Sequence, residues 1–183
     1  MGPMIYATRV RLRRVERGDL PHFITWFNDP EVRHSLAYIW PMGTAQEEAW
    51  FAAQLQAEPA LQPFSIEVED GAAAGGWRLV GNTGYHTIDW RNRSGEIGIA
   101  IGDKTAWGHG YGTEATRALT RWGLDALNLH RVWLRVYADN AAAIRCYEKV
   151  GFRLEGRLRH DTFRGGRYLD TLVMGLLRGE LVE

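Results

Sequence analysis

The hydrophobic pattern of the N-terminal third predicts one strand followed by helices. Branched and charged residues alternate over 7–15, which is typical of a half-buried strand. Residues 18–36 have helical spacing that a proline interrupts, so they predict two short helices. A further helix is predicted over 43–58, where Thr44 and Glu47 have the spacing of a capping box.

The next pattern is a series of strands. Residues 63–70, 77–90 and 96–102 are rich in branched and aromatic side chains, and short turn-forming segments separate them. Short connections favour antiparallel neighbours, so we expect these three strands to form a meander.

From residue 96 onward, strand and helix patterns alternate. The strand over 96–102 is followed by a helix over 113–127, a strand over 131–138, a helix over 140–150 and a strand over 152–160. This alternation predicts a right-handed crossover and one pair of parallel strands. A hairpin around Gly165 and Gly166 then leads into a last apolar strand over 168–177. The chain is therefore expected to form one domain, 1–183, of the α+β (mixed α/β) class, with about seven strands in a mixed sheet and about four helices.

Composition narrows the classes of partner. The 183 residues are 45% hydrophobic and 24% charged, values typical of soluble proteins. Lys and Arg together equal Asp and Glu at 22 each, so no field of the whole molecule attracts nucleic acid or an anionic membrane. We expect no nucleic-acid partner and no membrane partner. The start "MGPMIYATRVRL" lacks the apolar stretch of a secretory signal, which predicts a cytoplasmic protein.

The cysteine and histidine content argues against a metal. Cys146 is the only cysteine, so neither an internal disulfide nor a Cys-based metal site can form. The histidines have no metal-ligand spacing such as His-x-x-x-His. We therefore predict no metal site, and we interpret Cys146 as a buried, inert thiol.

The segment "WGHGYGTEA" (107–115) places three glycines directly before a predicted helix. The first N–H groups of a helix have no intrahelical partner, and the helix dipole adds partial positive charge there. Bare glycine backbone at that position lets an anion approach these donors. A tight turn alone would also explain the glycines. The segment has neither the Lys-Ser/Thr of a P-loop nor the Gly-x-Gly-x-x-Gly of a dinucleotide site.

A second motif makes the interpretation specific. In "NAAAIRCYEKVGF" (140–152), Asn140 can cap a helix, and Tyr147 lies about two turns further along the same face. A glycine turn opening a helix, then a strand, then Asn-x-x-x-x-x-x-Tyr-Glu-Lys-x-Gly-Phe resembles the GNAT superfamily of acyl-CoA N-acyltransferases. The resemblance is strongest over 95–152. Residues 11–36 resemble the start of proteins in the branch that contains ribosomal-protein N-terminal, spermidine and amino-sugar acetyltransferases.

This resemblance implies a GNAT-type fold whose sheet is splayed at its centre, and an acetyl-CoA-dependent N-acetyltransferase that acts on a primary amine. Members of this branch often form homodimers, so a homodimer is also implied. The backbone N–H groups implied to hold the coenzyme A pyrophosphate are those of Trp107, Gly108, His109, Gly110, Tyr111, Gly112 and Thr113. The groups implied to bind the pantetheine arm are the backbone of Ile99, Ala100 and Ile101, in the manner of an added strand, and Asn140.

Acyl transfer from a thioester needs an uncharged amine and a proton for the departing thiolate. The resemblance directs the Tyr147 hydroxyl at the thioester sulfur, as general acid. Glu96 begins a strand that carries Gly98 and Ala100 on the same face. It can accept the amine's proton directly or through water, or it can pair with an arginine, and both roles stay open. Direct attack by the amine is favoured over an acyl-cysteine.

The acceptor site is expected between two separate segments. Arg33, His34 and Tyr38 lie in "RHSLAYIW" (33–40), which suits a pocket wall, although such aromatic residues often belong to a core. The basic segment 159–168 is expected opposite, and it would suit an acidic peptide or a phosphorylated sugar and repel a polyamine. The acceptor is a peptide N-terminus or a small-molecule amine. The alternative function is a non-catalytic coenzyme A-binding sensor or subunit.

Overall fold

The computed structural model describes residues 4–36 and 38–182. Its strands are β1 (Ile5–Tyr6), β2 (Val10–Arg14), β3 (Phe64–Glu69), β4 (Trp77–Asp89), β5 (Ser94–Ile101), β6 (Arg131–Tyr137), β7 (Arg153–Arg164) and β8 (Arg167–Leu177). Its helices are α1 (Leu20–Asn28), α2 (Pro30–Arg33), α3 (Thr44–Gln56), α4 (Tyr111–Asp125) and α5 (Ala141–Val150). None of the helices in these two stretches has the length and apolarity needed to cross a membrane.

All eight of these strands form one sheet in the order β1-β2-β3-β4-β5-β6-β8-β7. Strands β1 to β5 pair antiparallel in chain order, which confirms the predicted meander. Strand β6 then lies parallel to β5, as the alternation of strand and helix predicts. The described sheet has one strand more than expected, because the short β1 pairs with β2 ahead of the predicted first strand.

The parallel pair β5–β6 separates soon after it begins. The two strands pair only at Ser94–Arg131, Gly95–Val132 and Glu96–Trp133. Beyond these positions β5 continues alongside β4 alone, and β6 continues alongside β8 alone. The sheet therefore has an open gap at its centre, as the resemblance implies, and we call it the β5/β6 gap.

Helices cover the two faces of the sheet differently. Helices α4 and α5 pack on one face, where Leu119 and Val150 are fully buried in the main core with strand residues such as Ile66 and Leu134. We call this the donor face. Helices α1 and α3 cover the other face through a smaller cluster that includes Phe23 and Phe51. We call this second face of the sheet, which carries α1 and α3, the acceptor face. The gap connects the two.

The predicted capping box of α3 is wrong. The N-cap is Gly43, whose N–H donates to Gln46 Oε1 at 2.7 Å. Because the N-cap lies one residue before the predicted Thr44, Gln46 takes the reciprocal position and Glu47 turns inward. Glu47 is only 2% exposed, and burial raises the pKa of its carboxyl to about 7.

Candidate active site

The N-terminus of α4 presents a run of unpaired backbone donors. Gly108 and Gly110 have φ values of 78° and 85°, the left-handed region that favours glycine. Within the described chain, the N–H groups of 108–113 have no hydrogen-bond acceptor, and the first paired amide is that of Glu114, which donates to the Gly110 carbonyl at 3.1 Å. Such donors at the positive end of a helix suit an anion.

The chemistry of this loop fits a pyrophosphate. A Cβ at Gly108 would meet no atom within 4 Å, so the backbone there is open to a bulky group. His109 is exposed, and its ring stacks on Tyr111 with centroids 5.8 Å apart. The loop therefore combines free donors, an open approach and a helix dipole at one place. These are the features that a phosphate group requires.

Trp107 has a different place from the one expected. Its backbone N–H donates to the Lys104 carbonyl at 3.1 Å, so this amide is not available to a phosphate. Its indole N–H donates to the Ile101 carbonyl at 2.8 Å. The expectation that Trp107 contributes an amide is wrong, because a turn before the glycines already uses that group. Trp107 instead ties the loop to the end of β5.

Arg9, in the turn between β1 and β2, braces the same loop. Its guanidinium donates to the His109 carbonyl at 3.1 Å and to Glu114 Oε1 from Nε at 2.7 Å. Its backbone N–H also donates to the Glu114 carboxylate, at 3.0 Å. The ion pair offsets the negative charge of Glu114 in the first turn of α4, which would otherwise repel an anion. Sequence patterns did not indicate Arg9, because 105 residues separate it from Glu114.

The direction of the peptide groups along β5 follows from its two ends. The Arg93 carbonyl, just before β5, accepts from the His130 N–H on the β6 side at 2.7 Å. The Gly102 N–H, just after β5, donates to the Val80 carbonyl on the β4 side at 2.9 Å. Peptide groups alternate between the two edges of a strand. The odd-numbered residues of β5 therefore present their N–H and C=O groups to β6.

Two residues of β5 thus present backbone groups to the β5/β6 gap. They are Ile99, with both its N–H and its C=O, and Ile101, with its N–H only, because Trp107 uses the Ile101 carbonyl. Ala100 points the other way, and its carbonyl lies against Gly81 of β4, where no side chain would fit. The expectation that Ala100 pairs with a bound arm is wrong for this reason. Ile99 and Ile101 form an open strand edge.

Helix α5 begins at the N-cap that the sequence predicts. Asn140 Oδ1 accepts from the Ala143 N–H at 3.1 Å. The Asn140 side-chain amide has no acceptor within the described part of the chain, so its N–H groups can donate to a ligand. Asn140 therefore fixes the start of the helix and keeps a donor free.

Tyr147 lies on the donor face with its ring buried. Its side chain belongs to the main core, is 7% exposed, and stacks edge-on against Phe152 with centroids 6.1 Å apart. Burial raises the pKa of the phenol, which keeps it protonated near neutral pH. Its hydroxyl has no hydrogen-bond partner among the residues that the structure describes. The group can therefore donate a proton.

Cys146 precedes Tyr147 and is half-buried. The Thr113 hydroxyl donates to its Sγ at 3.4 Å, which links α4 to α5. Burial raises the pKa of the thiol, so it is a poor nucleophile at neutral pH.

On the acceptor face, Glu96 is 7% exposed and pairs with an arginine of the neighbouring strand. Arg135 Nε lies 3.0 Å from Glu96 Oε1, and Arg135 Nη2 lies 3.5 Å from Oε2. Of the two roles that the sequence left open, pairing is therefore observed. Both carboxylate oxygens already have a cationic partner.

The expected acceptor segments are in contact. Arg164, near the end of β7, donates from its guanidinium to the carbonyls of Arg33, His34 and Leu36, the first at 2.8 Å. It also lies over the ring of Tyr137 of β6, 5.0 Å from the centroid. His34 is exposed and Tyr38 is half-buried. The hairpin β7–β8 thus closes against the end of α2 and residues 33–36.

The matching family model decides the identity. The model of the GNAT acetyltransferase domain matches residues 9–153. The chain belongs to the GNAT acetyltransferase family. The structure contains the elements in which the resemblance places the site: the glycine loop at α4, the open edge of β5 and the tyrosine of α5.

Relatives and solved structures agree with this assignment. The chain is 29% identical over 178 residues to the N-acetyltransferase p20 of Bacillus licheniformis, with 96% of this chain and 97% of that protein covered. It is 30% identical over 166 residues to an L-methionine sulfoximine/L-methionine sulfone acetyltransferase of Pseudomonas paraeruginosa, covering 86% and 88%. The crystal structure of the Vibrio cholerae spermidine N-acetyltransferase with CoA and spermine is similar at a TM-score of 0.82 and 26% identity, covering 95% of this chain and 98% of that one.

This GNAT acetyltransferase is an acetyl-CoA-dependent N-acetyltransferase. The loop at α4 fits the pyrophosphate of coenzyme A, and the open edge of β5 fits its pantetheine arm. No group of three or more His, Cys, Asp or Glu side chains that could hold a metal ion occurs within 4–36 and 38–182. The site is thus built from backbone donors, one phenol and the charged pair Glu96–Arg135.

Proposed function

We propose that this enzyme acetylates the primary amine of a small molecule that also carries an anionic group, by direct attack of the amine on the thioester of acetyl-CoA. One observation carries the proposal. The unpaired amides of 108–113 and the open edge at Ile99 lead to a central gap between a buried phenol and the acceptor face. A thioester in that gap would be reachable from both faces of the sheet.

Backbone groups hold the donor in this proposal. The amides of 108–113 bind the pyrophosphate, while Ile99 and Ile101 pair with the pantetheine arm as an added strand would. The free amide of Asn140 donates to the same arm. When bound, acetyl-CoA supplies the activated acetyl group and the thiolate that leaves. Such backbone contacts recognise the invariant part of the donor and leave the choice of amine to the other face.

Tyr147 serves as the proton donor. It lies on the donor face, with its hydroxyl free of protein partners and its phenol kept protonated by burial. A departing thiolate near that hydroxyl would take its proton, which prevents the reverse attack. Cys146 does not take part as a nucleophile in this proposal, because burial raises the pKa of its thiol. The amine therefore attacks directly.

The charges of the acceptor face support an acceptor with an anionic group. Residues 34–43, which join α2 to α3, contain neither Asp nor Glu. The Arg33 side chain is half-buried and has no anionic partner in the described chain. One related enzyme acts on spermidine, which is a polyamine, and another acts on methionine sulfoximine, which is an amino acid. An unpaired arginine at the wall favours the amino-acid type of acceptor over a polyamine.

The test is an assay of thiol release from acetyl-CoA with a panel of amines. The panel contains amino acids and their sulfone or sulfoximine analogues, phosphorylated amino sugars, short peptides and spermidine. We expect turnover with one anionic class and a mass increase of one acetyl group in the product. Affinity for acetyl-CoA without turnover on any amine would support the non-catalytic binder instead. A clear preference for spermidine would overturn the choice of acceptor and leave the acetyl transfer intact.

A further inference from the structure

A histidine beside a β-bulge in β4 lies on the acceptor face. The pairing of β4 with β5 shifts by one residue between Tyr85 and Thr87, so His86 has no partner on β5. Tyr85 faces the main core, so the alternation of a strand places His86 on the opposite face. His86 is exposed.

The imidazole of His86 covers Gly98 of β5. A Cβ built at Gly98 would overlap the ring at Cε1 and Nε2, so the ring occupies the space where a side chain of residue 98 would be. Because side chains alternate along a strand, residue 98 faces the same side as Glu96. Residue 98 also directly precedes Ile99, which offers its backbone to the β5/β6 gap. The imidazole therefore lies on the acceptor face, over the residue of β5 that directly precedes Ile99.

His86 is available for proton transfer and Glu96 is not. Among the described residues, neither ring nitrogen of His86 has a hydrogen-bond partner or an ion pair. Both carboxylate oxygens of Glu96 are bonded to Arg135. Imidazole is the side chain whose ordinary chemistry best suits proton exchange near neutral pH. His86 thus supplies a free base where the paired carboxylate cannot act.

We propose that His86 is the general base of the reaction. This inference rests on the acetyl transfer proposed above. A ring nitrogen of His86 takes a proton from the ammonium form of the acceptor, and the freed electron pair of the amine forms the new bond to the acetyl carbon. The bond from that carbon to sulfur breaks, and the thiolate takes its proton from Tyr147. The nitrogen of the new amide then loses its second proton to the Tyr147 phenolate, which restores the phenol.

The main test compares His86→Ala with His130→Ala. His130 is also exposed, but it lies at the turn before β6, and no role is assigned to its side chain. We expect His86→Ala to lower kcat by about 10²-fold, as loss of a general base does, with the acetyl-CoA dissociation constant unchanged. Added imidazole should restore part of kcat in His86→Ala, while His130→Ala should match the wild type.

Unchanged kcat in His86→Ala would overturn the base assignment, provided that the wild type acetylates an amine of the panel. A loss of kcat that imidazole does not restore would also overturn it, since it would indicate a structural role. No turnover by the wild type on any amine would overturn the proposed function, and this inference with it. The wild-type result therefore distinguishes the two failures.

Gly98→Ala tests the position of the ring without removing it. The new methyl group would occupy the space that the end of the His86 side chain now fills. Since that side chain can rotate, the methyl group should displace the imidazole and leave the strand intact. We expect a fall in kcat similar to that of His86→Ala. The double variant His86→Ala/Gly98→Ala should be no slower than His86→Ala alone, because both changes remove one function. If the double variant lowered kcat by the product of the two single effects, the proposed placement of the ring over Gly98 would be wrong.

Discussion

The donor face and the acceptor face are built in different ways. On the donor face, the binding groups are mostly backbone: the amides of 108–113 and the open edge of β5. On the acceptor face, the proposed groups are side chains from distant segments, Arg33 of α2 and His86 of β4, and Arg164 of β7 holds the end of α2 in place. Because backbone groups do not depend on side-chain identity, they can bind the same ligand, coenzyme A, in proteins of different sequence. Side chains allow the choice of amine to change while the fold and the donor site stay the same.

The largest effect is expected on the donor face. Gly110→Val places a branched residue at a φ of 85°, beside the Arg9 guanidinium at 3.4 Å, and fills the approach to the loop. Loss of two charge-assisted hydrogen bonds costs about 4 kcal/mol, so the dissociation constant of coenzyme A should rise about 10³-fold. Calorimetry measures it, with Gly71→Val as the control, since a Cβ at Gly71 meets nothing within 4 Å. Equal affinity in the two variants would contradict the role of the loop.

Tyr147→Phe should lower kcat by about 10²-fold with little change in acetyl-CoA affinity, because it removes a proton donor and keeps the ring. Steady-state kinetics and calorimetry together measure the two effects. Tyr85→Phe is the matched control, since Tyr85 is a second buried tyrosine whose hydroxyl contacts the Leu119 carbonyl at 3.4 Å. A similar loss in both variants would mean that Tyr147 acts only through packing.

The sequence predicts the donor face well because its signals are local. The glycine loop, the start of α4 and the Asn140 cap each depend on residues within one or two helical turns. The expected roles of the Trp107 and Ala100 backbones were wrong for two reasons. The Trp107 N–H is used by the Lys104 carbonyl, and the alternation of peptide groups along β5 directs the Ala100 carbonyl towards β4.

The acceptor face was predicted only in outline. That the segments around Arg33 and Arg164 face each other was expected, but the contact itself spans 131 residues and no periodic pattern encodes it. Nothing in the sequence distinguishes His86 from the other histidines. A bulge adds one residue to a strand, so a period-two pattern cannot show which residue of the neighbouring strand lies opposite.

A smaller effect is expected where the hairpin meets α2. Arg164→Ala removes three donors to the carbonyls that end α2 and a stacking contact with Tyr137. The acceptor wall should loosen, raising the KM for the amine about tenfold without changing the KM for acetyl-CoA. Arg164→Lys should recover part of the loss, since it retains a cationic donor. A parallel rise of both KM values would indicate general unfolding and contradict the separation of the two faces.

A separate effect concerns stability on the acceptor side. Burial raises the pKa of Glu47 to about 7, above the value of about 4.3 in an unfolded chain. The folded state therefore holds this proton more tightly, and the stability that it contributes is lost as the pH rises from about 4.3 to about 7. Glu47→Gln should gain about 2 kcal/mol over the wild type between pH 5 and pH 8 in denaturant unfolding. A difference between the two proteins that does not change with pH would show that Glu47 does not titrate in this range.

A crystal structure with bound coenzyme A would show directly where the donor lies. We expect the pyrophosphate on the amides of 108–113, the pantetheine arm alongside Ile99 and Ile101, and the sulfur in the β5/β6 gap, with Tyr147 on one side and His86 on the other. A nucleotide bound elsewhere, or a pantetheine arm that leaves the β5 edge free, would contradict this placement.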